Sequence, residues 1–98
     1  MNSAYLPSSS DLTYFLEVAG TGNLSRAADR LGISQPSLSL AMQRLEAGMG
    51  VSLFVRSKRG VSLTPSGRKL LLHARSLLQE WENIRAETLN ASDGVSGS

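Results

Sequence analysis

The run SRAADRLGISQPSLSLAMQRLE, residues 25–46, constrains the fold more than any other part of the chain. It reads as helix, breaks once at LGISQP, and resumes with small hydroxyl and amide side chains where a core helix would carry larger apolar ones. Leu24, Ala27, Ala28 and Leu31 share one face at helical spacing, and Asn23 stands ready to cap a helix over 24–31. Gly32 ends it, because glycine accepts the left-handed conformation without a Cβ penalty. Only Ile33 and Ser34 separate it from the next helix, which Ser34 caps and in whose first turn Pro36 sits, where a missing N–H costs nothing. Leu38, Met42 and Leu45, with Ala41 beside them, carry this third helix to about Met49. Gly48 weakens its last turn by up to ~1 kcal/mol relative to alanine.

The rest of the chain arranges itself around that pair. Residues 1–10, MNSAYLPSSS, are polar and aperiodic and read as a disordered arm. Ser9 or Ser10 is placed to cap a first helix beginning at Asp11, whose apolar residues Leu12, Phe15, Leu16 and Ala19 run up to the stop GTG. After the third helix the period changes from 3.6 to 2. Two β-prone runs, 53–56 and 61–63, flank the basic turn SKRG and predict a hairpin. Thr64 caps and Pro65 opens a fourth helix reaching about Leu89, which would span ~37 Å at 1.5 Å per residue. Its stripe of Leu70, Leu71, Ala74, Leu77, Leu78, Trp81 and Ile84 runs beyond so small a domain. It calls for a cover, most simply the same helix of a second chain. Residues 90–98, NASDGVSGS, read as a disordered tail.

Bulk properties narrow the function classes. At 98 residues there is room for one small domain. No cysteine is present, so disulfides, thiol nucleophiles and cysteine metal sites are excluded, and the lone His73 builds no metal centre by itself. Neither a metal nor a cofactor is expected. No apolar run approaches the ~20 residues that span a bilayer, and the start lacks the pattern of a signal peptide, so a soluble cytoplasmic protein without membrane contact is expected. Ser34, His73 and Asp29 contain the residue types of a hydrolase triad but lack a nucleophile elbow and a second layer to hold one; an enzyme is not expected. Nine basic residues against Asp29 and Glu46 fall between positions 26 and 75, while both flanks are acidic. A basic centre fits a polyanionic partner, and a merely solvated surface is the alternative.

Two helices joined by a short glycine turn form a helix-turn-helix, whose second helix enters the major groove of DNA. Over 34–48, Gln35 can pair with adenine, Ser34, Ser37 and Ser39 can reach bases or phosphates, and Pro36 can touch a thymine methyl. The basic hairpin, 56–60, then reads as a wing. Lys58 and Arg59 at its tip suit the minor groove or the backbone, and Arg56 suits a phosphate. The competing reading makes the apolar seam of the fourth helix the main function, in a dimerisation or docking module with an incidental basic face.

Three segments, SRAADRLGISQPSLS, LE..MGVSLF.R and G..LTPSG, in this order and spacing, resemble the N-terminal DNA-binding domain of LysR-type transcriptional regulators. The resemblance covers residues 11–75 and continues through the fourth helix. It implies a mainly α fold: a winged helix-turn-helix over 11–64, with a three-helix core and a short β-hairpin wing, followed by a linker and dimerisation helix over 65–89. It implies a homodimer on an interrupted inverted repeat in a bacterial promoter. It also implies a larger effector domain absent from this chain, through which a small co-inducer would bind and tetramers would assemble. Such a winged domain is also used by the molybdate-responsive regulators. Carried over by position, the DNA-facing set is Ser25, Arg26, Ser34, Gln35, Pro36, Ser37, Ser39, Arg56, Lys58 and Arg59. The chain departs from the pattern at Leu40, where the family has arginine, at Gly48 and Met49, where Glu-Leu is common, and at Ser52, where proline is frequent.

Overall fold

The computed structural model describes the backbone of residues 5–96. The order is α1 (Ser9–Thr21), α2 (Leu24–Leu31), α3 (Gln35–Met49), β1 (Phe54–Ser57), β2 (Gly60–Leu63) and α4 (Pro65–Ser96). The mainly helical fold with one antiparallel hairpin is the winged helix-turn-helix expected above.

Local chemistry sets the ends of the elements. The first helix is capped by Ser8, not by Ser9 or Ser10: the Ser8 hydroxyl accepts the Asp11 N–H at 3.1 Å, and the Asp11 carboxylate accepts the Ser8 N–H at 3.2 Å. That reciprocal capping box favours the serine three residues before the acid. Within the expected disordered arm Tyr5 packs half-buried against the core; residues 1–4 lie outside the described residues. The α1 helix runs through Gly20 and ends at Gly22. Asn23 and Ser34 cap α2 and α3 as expected, accepting the N–H groups of Arg26 and Ser37. In the turn between them, Gly32 takes φ 72° and the Ile33 N–H returns to the Ala28 carbonyl at 3.0 Å, so one left-handed residue closes α2 and aims α3.

Phe15, Val18, Ala27, Ala28, Leu38, Met42, Leu45, Leu53 and Phe54 form one buried cluster beneath α1, α2, α3 and the start of the hairpin. The Phe15 and Phe54 rings lie 5.5 Å apart at 46°, which joins α1 to the wing. Strand pairing runs from Phe54 opposite Leu63 to Ser57 opposite Gly60. Neither Lys58 nor Arg59 has positive φ, so the reversal is completed by Gly60 at φ 126°. Gly60 also lies so close to the Gly22 carbonyl that a Cβ would press into it, and that carbonyl accepts the Val61 N–H at 2.9 Å. The wing is thereby pinned to the turn between α1 and α2.

Thr64 and Pro65 open α4 as expected. The Thr64 hydroxyl accepts the Gly67 N–H and donates to the Ser52 carbonyl, tying the start of α4 to the entry of the hairpin. The helix then passes the expected end at Leu89 and continues to Ser96, through the segment read as a disordered tail. That segment holds no proline, and each further residue adds a backbone hydrogen bond. Residues 97–98 lie outside the described residues.

Candidate nucleic-acid interface

Three fully buried residues, Leu38, Met42 and Leu45, fix the inward side of α3. Since successive helical residues turn by about 100°, the opposite side carries Pro36, Leu40, Gln43 and Ala47, flanked by Arg44. All five are exposed. Pro36 belongs to the site read from the sequence; Leu40, Gln43 and Arg44 were missed there, although counting three, four, seven and eight residues on from Pro36 and Ser37 would have found them.

The remaining expected residues divide by how free they are. Gln35 and Ser37 are exposed in the first turn. The Ser34 hydroxyl accepts the Ser37 N–H at 3.2 Å and donates to the Ser37 hydroxyl at 2.8 Å, so its capping duty occupies much of its hydrogen-bonding capacity. Ser39 is half-buried, and its hydroxyl accepts from Arg56 Nη2 at 3.5 Å. This contact brings the first strand of the wing alongside the recognition helix. Lys58 and Arg59 stand exposed at the tip, where the Ser57 hydroxyl accepts the Arg59 N–H at 3.3 Å. Ser25 and Arg26 are exposed in the first turn of α2. Arg30, by contrast, pairs with Glu17 of α1 at 2.9 Å, and Arg68 donates to the Leu63 carbonyl at 3.3 Å. The positive surplus of the sequence falls on the wing, with Arg56, Lys58 and Arg59, and on the first turns of α4, with Arg68, Lys69 and Arg75, all exposed; Arg26 and Arg44 are exposed beside them on α2 and α3.

One residue holds this arrangement together. Glu46, half-buried near the end of α3, accepts the Leu53 N–H at 2.7 Å, the Phe54 N–H at 3.2 Å and the Ser52 hydroxyl at 3.3 Å, all on Oε2. A carboxylate receiving two backbone N–H groups fixes the strand it receives them from, and such charge-assisted bonds are roughly twice as strong as neutral ones. The wing thus starts from a point set by the recognition helix itself. Gly48, one turn-half later, is small for a reason: a Cβ there would run into the ring of Tyr5. Burial, and then the charge of Asp11, raise the pKa of that tyrosine above its ordinary 10.0.

The seam of α4 is split. Leu70 and Leu71 pack half-buried against the core and Ala74 is buried within its own chain, so these three are engaged with their own domain. Leu78 is half-buried, while Leu77, Trp81 and Ile84 stay exposed. Leu72 and Leu89, outside the expected set, are exposed too. Among the described residues no group of three or more His, Cys, Asp or Glu is placed to hold a metal, and no helix is long and apolar enough to cross a membrane.

Comparison with known proteins follows this geometry. Residues 9–68 match the family described as bacterial regulatory helix-turn-helix protein, lysR family. A probable hydrogen peroxide-inducible genes activator of Mycobacterium xenopi is 43% identical over 95 residues, covering 97% of this chain and 50% of that protein. The HTH-type transcriptional regulator ClcR of Pseudomonas putida is 46% identical over 86 residues, covering 88% of this chain and 29% of that protein. The chain thus spans half or less of the length of these two relatives. Among solved structures, the CbnR_DBD-DNA complex superposes with a TM-score of 0.84 at 40% identity, covering 87% of this chain and 98% of that one. The chain belongs to the lysR family of bacterial regulatory helix-turn-helix proteins and carries that family's DNA-binding domain.

Proposed function

We propose that this chain binds double-stranded DNA sequence-specifically as a dimer and so serves as the promoter-recognising part of a transcription regulator rather than as an enzyme. The observation that carries the reading is the outward face of α3 set beside an exposed basic wing through the Arg56 to Ser39 contact. In this reading α3 enters the major groove, with Gln35, Pro36 and Ser37 at base edges. Lys58 and Arg59 take the minor groove or the backbone, and Ser25, Arg26 and Arg56 take phosphates. The exposed Leu77, Trp81 and Ile84 meet the same helix of a second copy, which places two recognition helices on an inverted repeat. The protein works in the cytoplasm. A small co-inducer and tetramer assembly belong to a further domain of a longer protein.

The test is selection of duplexes from a random pool, followed by fluorescence anisotropy of the selected duplex across several salt concentrations. An enriched inverted repeat bound well above random DNA, with a steep negative salt slope, supports the reading. Reversing charge at Lys58 and Arg59 should then abolish binding while leaving the dimer intact. Equal weak binding to every duplex, together with a stable dimer, would sink it in favour of a docking module built on α4.

A further inference from the structure

We propose that Leu40 is a base-reading residue of α3 and selects thymine through its C5-methyl group. The inference rests on the DNA-binding reading above and adds a chemical preference at one position of the site. Leu40 lies one turn beyond Pro36, close to the point diametrically opposite the buried stripe of Leu38, Met42 and Leu45. It is 47% exposed and contributes nothing to the core cluster. A helix that enters the groove with its outward face brings this side chain towards the base edges, whichever way its polar flanks turn.

What a leucine can gain there is set by the groove. The edges offer N7, O6 and O4 as acceptors and the amino groups of adenine and cytosine as donors; the single apolar group is the thymine methyl. Against an amino or carbonyl edge, leucine displaces water and returns no hydrogen bond. Against the methyl, both partners lose apolar surface to solvent. Leucine in place of a charged side chain therefore exchanges a hydrogen-bonded contact for an apolar preference.

The test uses the duplex selected by this chain and replaces each thymine in turn by deoxyuridine, which removes the methyl and keeps every hydrogen-bonding group. At least one thymine per half-site, the one facing Leu40, should be sensitive, with Kd rising about fourfold on loss of its methyl. In Leu40→Ala, whose helix content is checked by circular dichroism, the same replacement should leave Kd unchanged, and selection with that variant should no longer hold thymine there. A selected site indifferent to deoxyuridine at every position overturns the assignment alone. So does a Leu40→Ala variant that keeps the full methyl sensitivity. If no duplex is enriched at all, the DNA-binding reading falls and takes this assignment with it.

Discussion

Helices α3 and α4 carry the same kind of apolar stripe, yet only that of α3 is covered along its length by its own chain. In α3 the stripe ends inside the domain, with Leu38, Met42 and Leu45 fully buried. In α4 the stripe outlasts the domain: Ala74 is buried, Leu78 half-buried, and every described side chain from Gln79 to Ala91 is exposed. Periodicity states which residues face one way and is silent on what they face. The covered stripe is what folds the chain, while the uncovered one is the surface that the proposed dimer uses. An isolated helical extension of this length is marginal in water without such a cover.

The sharpest way to break this comparison is to truncate one residue of each stripe. Leu38→Ala should cost about 2–5 kcal/mol in urea unfolding, because it leaves a cavity in a closed core. Trp81→Ala should change the unfolding of a dilute monomer by less than about 0.5 kcal/mol. It should weaken the dimer by tenfold or more in analytical ultracentrifugation, since a large aromatic at an interface is a typical anchor. Equal stability losses for the two would mean that the stripes are not different in kind.

Glu46 sharpens the contrast from the other side, because it joins two parts of the covered half. Glu46→Ala strips the acceptor from the Leu53 and Phe54 N–H groups and should cost about 1–3 kcal/mol. Amide exchange should quicken at Leu53 and Phe54, and α4 beyond residue 79 should be unaffected. Unchanged protection at those two amides would refute the clamp. The smallest expected effect concerns Tyr5. Its pKa is raised in the folded protein, so the folded state holds the phenolic proton more tightly than the unfolded state does. The associated stability is complete below pH 10.0 and is lost as the pH rises through the folded value. Tyrosine absorbance should therefore show one phenol titrating late, and Tyr5→Phe should remove that late step.

Much of the fold was legible because its signals are local. Asn23, Gly32, Ser34 and Thr64 with Pro65 act within a few residues of themselves, and the helices they delimit stand where the spacing put them. Ser8 was passed over because three serines in a row look alike until Asp11 is counted back by three. What escaped depends on distance along the chain. Glu46 receives groups seven and eight positions away, and Gly48 is small because of a ring 43 positions earlier. Leu40 read as a missing arginine, since a stretch of sequence records what is absent from a pattern more readily than what an exposed apolar group gains. The uncovered part of α4 could not be separated from the covered part, because the boundary is where the domain's surface ends.

The contact of Gly60 with the Gly22 carbonyl carries one more consequence. It ties the wing to the turn that leads into α2, just as Glu46 ties the wing to α3, so two rivets join the gripping elements. A gauge of that stiffness does not adjust to the object it measures. On a duplex, the helical twist and groove width would have to come to the protein, and sequences differ in how readily they do so. Base pairs that no side chain reaches would then be sorted by their mechanics, and the operator would be read partly as a material.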